Sequence, residues 1–247
     1  MKRIFTTLVL CVCMGLCSIA NAQNYLVPNP ETARWSYIET DSKGEQVATV
    51  YHSVESLQGD ALNGKLKLLV EEIPFSSPDQ AAKSFIYYRF KDGEYILDGC
   101  AEFEEDILAP VVDDAIKQQN LNFSEKEKYE LYEKVREEFI TGEIRGIPRY
   151  PKVGDLPDYE FRIKVSIMSM TVLGKDRRIV GTETIQTAAG TFDCFIMEET
   201  LTMKAMMMKE VTKTRSWYAY GIGLVKEISY DKKGRLVSTL TLNEINW

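Results

Sequence analysis

The chain has 247 residues, of which 37 are Asp or Glu, 30 are Lys or Arg and one is His, so its formal net charge is -7. Hydrophobic residues make up 45% of it, which excludes a disordered polypeptide and a collagen-like repeat. The acidic balance also argues against a nucleic-acid-binding protein, because neutralising phosphates requires clustered Lys and Arg.

Residues 1–22 have the pattern of a secretory signal peptide. Lys2-Arg3 gives a positive start, an apolar run covers residues 4–19, and residues 20–22 (Ala-Asn-Ala) resemble a signal-peptidase site. The run is short for a membrane span, and no second run of this kind follows. The sequence therefore predicts a mature chain of residues 23–247 without a transmembrane segment, located in the periplasm or secreted.

A lipid anchor is not expected, because the modified cysteine of such an anchor follows a small residue. In the signal segment, Cys11, Cys13 and Cys17 follow Leu, Val and Leu. The mature chain keeps Cys100 and Cys194, which could form a disulfide in an oxidising compartment. The alternative is two separate thiols, with Cys194 acting as a small hydrophobic residue in a strand.

The first part of the mature chain has the pattern of short antiparallel strands. Residues 35–40 and 46–54 flank a turn, and apolar residues alternate with others over residues 65–70. An aromatic segment at residues 84–90 and a returning segment at residues 94–97 predict a second hairpin.

The segment from about residue 103 to 140 has the composition of helices, being rich in Glu, Lys, Leu and Ile and nearly free of Gly. Apolar residues at helical spacing between Ile107 and Ile116 predict a first helix. Ser124 followed by Glu127 is a capping box that opens a second one. One apolar stripe of that helix is formed by Tyr129, Tyr132, Val135 and Phe139. The sequence thus predicts a two-helix insert.

From Pro148 onward the pattern returns to strands. The strand candidates are residues 159–172, 178–186, 191–203, 209–220, 224–230 and 236–245, with a turn predicted at residues 174–176. Short links between successive strands indicate antiparallel pairing, and a sheet of this many strands must curl to bury a face. We therefore expect a mainly β (α+β) fold in a single β-rich domain, with the insert packing on the curled antiparallel sheet.

Several motifs of the C-terminal half resemble a known family. They are the hairpin at residues 180–194 (VGTETIQTAAGTFDC), the strand–turn–strand at 217–226 (WYAYGIGLVK), the hairpin at 230–236 (YDKKGRL) and the loop at 154–158 (GDLPD). Through them the chain resembles the 3108-like domain of unknown function, a group of secreted envelope proteins of Gram-negative bacteria. The resemblance implies a strongly curved antiparallel sheet, akin to the half-barrel of periplasmic lipoprotein carriers, in which helices close an apolar concave face.

The motifs of common enzymes are missing from the sequence. It contains no Gly-x-Ser-x-Gly elbow and no phosphate loop, and a zinc site of the His-Glu-x-x-His kind cannot exist with one histidine. A Ser-His-Asp triad would require His52, which lies in a strand pattern where we expect a surface or rim residue. A hydrolase built on paired acids would need strongly shifted carboxyl pKa values in one pocket. We expect no enzymatic activity, no cofactor and no metal.

Methionines are concentrated in one region of the C-terminal half. Met203, Met206, Met207 and Met208 are close in sequence, and others lie on neighbouring strand candidates. Methionine adapts to irregular apolar space, so core packing and an adaptable apolar groove both explain the cluster. A soft-metal thioether site is a third interpretation.

Two hypotheses for function follow. In the first, an exported non-enzymatic envelope protein binds an apolar or lipid-like ligand in the groove of its curved sheet. The ligand-binding residues would be Met168, Met170, Phe195, Met203, Met207 and Trp217, with Tyr132, Val135 and Phe139 as a lid. The alternative is a scaffold or accessory protein for assembling cell-surface structures, which contacts an envelope protein partner through sheet edges or an exposed methionine patch. A solidly packed interior would contradict the first hypothesis and not the second.

Overall fold

A computed structural model of the chain describes residues 34–59, 63–91, 94–98, 101, 109–118, 123–148, 150–165, 168–205 and 207–246. The predicted signal peptide, Cys100 and Met206 lie outside these residues. The described part forms a single antiparallel sheet of 14 strands with two helical segments. This confirms the predicted mainly β fold.

The first five strands form a meander in which each pairs with the next. They are β1 (Arg34–Asp41), β2 (Gln46–Gly59), β3 (Gly64–Pro74), β4 (Ala82–Lys91) and β5 (Glu94–Leu97). A short 3-10 turn at Pro78–Gln80 links β3 to β4. The two hairpins expected from the sequence are therefore present, and β3 joins them into one continuous surface.

The insert between β5 and the next strand contains α1 (Ala109–Gln118) and α2 (Glu125–Phe139). The capping box at α2 is confirmed, since the Glu127 carboxylate accepts from the Ser124 backbone N–H at 2.8 Å. None of the residues of α2 is buried, and it is the one helix of the insert whose side chains are described throughout. Ile116 of α1 is buried and Phe139 at the end of α2 packs against the core. Helix α2 therefore contacts the barrel but does not seal an apolar face, although the sequence suggests that it would.

Four shorter strands and one very long strand follow the insert. They are β6 (Ile140–Gly142), β7 (Ile144–Arg145), β8 (Gly154–Asp155), β9 (Tyr159–Val165) and β10 (Met168–Thr187). The turn predicted at residues 174–176 is wrong. The chain reverses between β9 and β10 instead, and residues 174–176 lie inside β10 at an irregularity in its pairing with the following strand.

The last four strands complete a meander of long hairpins. They are β11 (Gly190–Ala205), β12 (Met208–Ala219), β13 (Gly223–Asp231) and β14 (Leu236–Asn246). Each pairs with the strand before it, and β14 pairs with β1. The hairpins at residues 180–194 and 230–236 are where the sequence motifs place them.

The sheet curls so far that its two terminal strands, β6 and β7, are adjacent in the sequence. At one end β6 pairs with β9, at the other end β7 pairs with β5, and Glu143 alone separates β6 from β7 in the sequence. The sheet is therefore a nearly closed barrel rather than the half-barrel that the resemblance implies. Gly142 makes the link compact, because with φ near +77° an added Cβ would lie 1.8 Å from the Glu160 carbonyl oxygen.

The barrel buries one face of each strand by simple alternation. Along β11, Met197, Glu199, Leu201 and Met203 are buried, and Glu198, Thr200 and Thr202 between them are half-buried. The core joins residues from nearly every strand. Its largest fully buried side chains are Tyr37, Leu66, Leu68, Tyr88, Ile144, Ile147, Ile179, Met197 and Tyr218.

Candidate functional site

The predicted apolar lining is only partly brought together. Met170, Phe195 and Met203 share one face of the sheet, with Met203 beside Val172 and Met170 beside Ala205. Phe195 and Met203 are eight residues apart on one strand, which places them about 27 Å apart. The side chain of Met168 lies outside the described residues. These residues contribute to a long core and do not line one compact groove.

Trp217 lies on the opposite face of the sheet from Met203, which corrects its assignment to that lining. Its cross-strand neighbour is Ile196, whereas Ser216 is the neighbour of Met197. The indole is buried all the same, and its Nε1 donates to a Glu183 carboxylate oxygen at 2.8 Å. Trp217 therefore fixes the hairpin that carries Glu183.

Met207 is fully exposed at the tip of the β11–β12 hairpin, with a relative exposure of 100%, so it lines no interior groove. Its neighbour Met208 is exposed to 47%. Exposed methionine suits a surface that a partner covers, because its flexible thioether adapts to varied shapes. We call Met207 and Met208 the methionine tip.

One part of the barrel interior is polar. The carboxylate of Glu227 accepts from Ser216 Oγ at 2.8 Å, and both residues are buried. Glu39 and Glu227 each pair with Leu240, from the two sides of β14, so they lie about 10 Å apart across the sheet. Burial raises the pKa of Glu227 to about 8 and that of Glu39 to about 7, so protonation keeps these acids largely neutral below those values.

Arg177 makes four hydrogen bonds in the interior of the barrel. It is 2% exposed, and its Nε lies 3.2 Å from Glu199 Oε2. Its remaining donors bind the carbonyl oxygens of Arg145, Gly146 and Pro157 at 2.7–2.8 Å. The guanidinium thus ties β10 and β11 to the segment that follows β7, where the two ends of the sheet approach each other.

The sequence contains no pattern that singles out Arg177. It follows the residues that look like a turn, and Asp176 adopts a left-handed φ of 53° within the irregularity of β10. A bulge of this kind re-aims the side chains beside it, which explains an inward arginine at a position with a surface-like sequence.

His52 lies in the core, so the predicted surface or rim position is wrong. It is fully buried, with the rings of Trp35 and Tyr37 at centroid distances of 5.7 Å and 5.1 Å. Burial lowers its pKa to about 3, and neither ring nitrogen has a hydrogen-bond partner within the described part of the chain. His52 is therefore a neutral packing residue in this arrangement.

A cleft of about 280 Å³ lies between α2 and the sheet, and we call it the α2 cleft. From α2 it is lined by Tyr129, Tyr132 and Glu133. From the sheet it is lined by β2–β4, where Lys67 Nζ lies 4.4 Å from the Phe85 ring and 4.9 Å from the Tyr87 ring. Its mixture of tyrosine rings and lysine ammonium groups suits an amphipathic or anionic molecule better than an acyl chain.

A second, wider cleft of about 510 Å³ lies across β10–β13. Its walls are charged, since Glu198 bridges Arg178 at 2.6 Å and Arg215 at 3.3 Å. The side chains of these residues are partly exposed, so their ion pairs are screened by water. Glu199 also lines this cleft, but its carboxylate is enclosed in the barrel beside Arg177.

The structure describes one of the two cysteines predicted as a possible disulfide pair. The Cys194 side chain is buried and is bonded to no other cysteine among the described residues, and Cys100 lies outside them. Burial raises the pKa of Cys194 to about 12, with Asp193 and Glu183 adding to the effect. The thiol is thus unreactive as it stands, and the disulfide remains a prediction.

The β10 edge, which we define as residues 180–187, is an exception to the near-closure of the sheet. On one side it pairs with β11 from Gly190 to Ile196. On the other side β9 pairs with β10 as far as residue 174 and β8 only at residues 178–179. Within the described residues, no strand pairs with β10 beyond Ile179 on that side.

Among the described residues, no group of three or more His, Cys, Asp or Glu side chains is arranged to hold a metal ion. In the same part of the chain, no helix is both long and apolar enough to span a membrane.

Residues 140–242 match the model of the DUF3108-like family. The match begins at β6 and ends within β14, and it contains the motifs at residues 154–158, 180–194, 217–226 and 230–236. The resemblance seen in the sequence is thereby confirmed over this range. No curated protein matches the chain.

Two solved structures share the fold. A candidate lipoprotein from Parabacteroides distasonis ATCC 8503 has a TM-score of 0.60 and 20% identity, over 90% of this chain and 99% of that chain. A candidate exported protein with a YmcC-like fold from Bacteroides fragilis NCTC 9343 has a TM-score of 0.58 and 16% identity, over 91% and 100%. MucB in complex with MucA(peri) has a TM-score of 0.32 and 9% identity, over 98% and 54%, and supports no inference here.

Proposed function

We propose that this chain is an exported, non-catalytic envelope protein that acts through contacts with other proteins. The observation that carries this proposal is the packing of large side chains inside the described part of the barrel. Tyr37, Tyr88 and Tyr218 are among the fully buried side chains of its core, which occupy the space where a carrier would hold an acyl chain. Ligand pockets for such molecules are typically about 300–1,000 Å³ and mostly apolar. The scaffold or accessory hypothesis is therefore better supported than the ligand-carrier hypothesis.

Two independent observations support export of the protein. The first 22 residues have the three-part pattern of a signal peptide. Two proteins that share the fold are described as a candidate lipoprotein and a candidate exported protein. We place the chain in the periplasm or outside the cell on these grounds.

The absence of catalysis is part of the proposal, although the interior does contain carboxyl groups with raised pKa values. A hydrolase needs such acids in a pocket that a substrate can enter. Glu39 and Glu227 are buried in the barrel and line neither of the two clefts. Burial also raises the pKa of Glu199 to about 7, and this residue lines the second cleft, but its carboxylate is enclosed beside Arg177 and bonded to it. Their neutralisation is the usual response of an acid to burial and requires no catalytic role.

Two surfaces suit a protein partner. The methionine tip presents adaptable apolar area, and the β10 edge presents backbone groups. Neither surface requires a cavity, which distinguishes this function from that of a carrier.

The test is photo-crosslinking in the envelope of the native cell. A photoreactive phenylalanine analogue replaces Met207 or Thr184, and the same substitution at exposed Lys126 on α2 is the matched control. We expect a discrete crosslinked protein from Met207 or Thr184 and none from Lys126. The same faint pattern from all three positions would contradict the proposal.

A second candidate function is supported by the α2 cleft, where a small amphipathic or anionic molecule could bind. The lid residue Tyr132 predicted from the sequence does line this cleft, although on a different face of the sheet from Met203. Tyr132→Ala should weaken binding of any small molecule that co-purifies, and exposed Tyr150→Ala is its control. Co-purification that survives Tyr132→Ala unchanged would remove this candidate.

A further inference from the structure

We propose that the β10 edge is a docking site for an extended segment of a partner protein, which adds to the sheet as one more strand and carries basic side chains. This inference rests on the proposed function, since it names the surface and the kind of partner. On one side, β10 pairs with β11 as far as Thr187. On its other side, pairing within the described residues stops at Ile179.

The backbone groups available at this edge follow from the hairpin turn. Thr187 and Gly190 flank a two-residue turn, and the closing pair of such a hairpin is a hydrogen-bonded pair. Because hydrogen-bonded and non-hydrogen-bonded pairs alternate, residues 182, 184 and 186 direct their N–H and C=O groups away from β11. All three residues are exposed. They present the pattern that an incoming strand requires.

The hairpin is held in place before any partner arrives. Ile185 and Phe192 form a cross-strand pair and pack against the core. The Trp217 indole donates to Glu183, and Thr184 Oγ1 donates to Asp193 Oδ1 at 2.7 Å. A preorganised edge loses little conformational freedom when a strand is added, which favours binding.

The charge of the hairpin identifies the partner's chemistry. Residues 179–196 contain Glu183 and Asp193 and no Lys or Arg. Glu183 pairs with Cys194 and Asp193 pairs with Thr184, so the two carboxylates lie on opposite faces of the hairpin. Lys or Arg on either face of an added strand would therefore meet one carboxylate. A second copy of the chain, pairing edge to edge, would instead bring the acidic groups of both copies together. The favoured occupant is therefore a basic extended segment of another protein.

The experiment measures amide hydrogen exchange by NMR on the full mature protein. The probes are an eight-residue peptide of alternating Thr and Lys and its counterpart of alternating Thr and Glu, at low ionic strength. We expect the Lys peptide to slow exchange of the amides of residues 182, 184 and 186, and the Glu peptide to have no effect. Absence of protection, protection elsewhere, or equal protection by both peptides would overturn the inference.

Two double variants test whether the carboxylates of Glu183 and Asp193 contribute to binding. The double variant Glu183→Gln and Asp193→Asn keeps acceptor oxygens for Trp217 and Thr184 but removes both charges. We expect it to weaken Lys-peptide binding about threefold to tenfold. The matched control, Glu137→Gln with Glu138→Gln on the exposed face of α2, should leave binding unchanged. Equal weakening by both double variants would refute the role of Glu183 and Asp193.

Thr184→Pro removes an outward N–H without removing a backbone hydrogen bond to β11, and edge strands tolerate proline in this orientation. The exposed side-chain hydrogen bond from Thr184 to Asp193 is lost as well. We expect it to abolish protection while the thermal unfolding curve stays within a few degrees of the wild type. Sedimentation of the protein alone adds an independent outcome, because a dimer lost in Thr184→Pro would identify a second copy as the occupant and overturn the basic-partner assignment. Failure of these tests would leave the crosslinking test of the proposed function unaffected.

Discussion

Arg177 is the residue on which the closure of the barrel depends most directly. A fully charged guanidinium is costly to bury unless its donors are satisfied, and here they reach Glu199 and three backbone carbonyls. Lysine cannot reproduce this planar set of donors. The position of Arg177 therefore explains how a sheet whose terminal strands do not pair with each other still holds its two ends together.

Arg177→Lys tests this role against a neighbouring control. We expect it to lower the free energy of unfolding by about 2–4 kcal/mol, because Glu199 and the carbonyls near β7 lose their partners. Arg178→Lys, at the exposed ion pair with Glu198, should change it by less than about 1 kcal/mol. Urea unfolding measures both variants, and equal effects would contradict a special role for Arg177.

The buried carboxyl of Glu227 makes stability depend on pH. Its pKa in the folded protein, about 8, lies above the ordinary value of 4.5, so the folded state holds the proton more tightly. The resulting stabilisation is complete below about pH 4.5 and is lost as the pH rises through about 8. We therefore expect the free energy of unfolding to fall between pH 5 and pH 9, with Glu39 contributing in the same direction.

Glu227→Gln isolates this contribution, because the amide keeps an acceptor for Ser216 Oγ and does not titrate. We expect a flatter pH profile and, at pH 9, a variant more stable than the wild type by about 2–4 kcal/mol. Glu244→Gln, at an exposed position of β14, should follow the wild-type profile. Parallel curves for the wild type and Glu227→Gln would show that the carboxyl is not protonated in the core.

Among the elements, the link between β6 and β7 determines the shape of the molecule. The strands are three and two residues long, yet they form the two ends of the sheet. The link depends on Gly142, where the backbone passes close to the Glu160 carbonyl. Such short strands have no periodicity, so their long-range pairing is the part of the fold that the sequence could not reveal.

Gly142→Ala should destabilise the protein by at least about 2 kcal/mol more than Gly234→Ala. Both glycines have a φ near +78°, so both variants carry the same cost of a left-handed alanine. At Gly142 the added Cβ would also collide with backbone, whereas at Gly234 nothing lies within 4 Å. Thermal unfolding compares the two, and equal shifts would contradict the close approach at the link.

The elements that the sequence did predict are those with local signals. The capping box of α2 and the hairpins around Ala188-Ala189 and Gly234 depend on neighbouring residues, and the structure contains them. The reversal between β9 and β10 was missed because residues 165–168 contain no Gly, Pro, Asn or Asp. Trp217 was assigned to the wrong face because a hydrophobic residue gives no information about which side of a two-sided sheet buries it.

At the scale of the whole molecule, the proposed function rests on the packed interior and on the sheet surface. A curved sheet can enclose a ligand or a core, and composition alone does not distinguish the two. Here aromatic and aliphatic side chains from both ends of the chain occupy the barrel, together with neutralised acids and Arg177. The methionine tip and the β10 edge lie outside this core, where other proteins can reach them.

Native mass spectrometry of the protein exported to a Gram-negative periplasm tests most directly whether the barrel is packed with its own side chains. We expect the mass of the polypeptide alone, with no adduct released on denaturation. A bound molecule of lipid-like mass would contradict a barrel packed with its own side chains and would favour the carrier hypothesis.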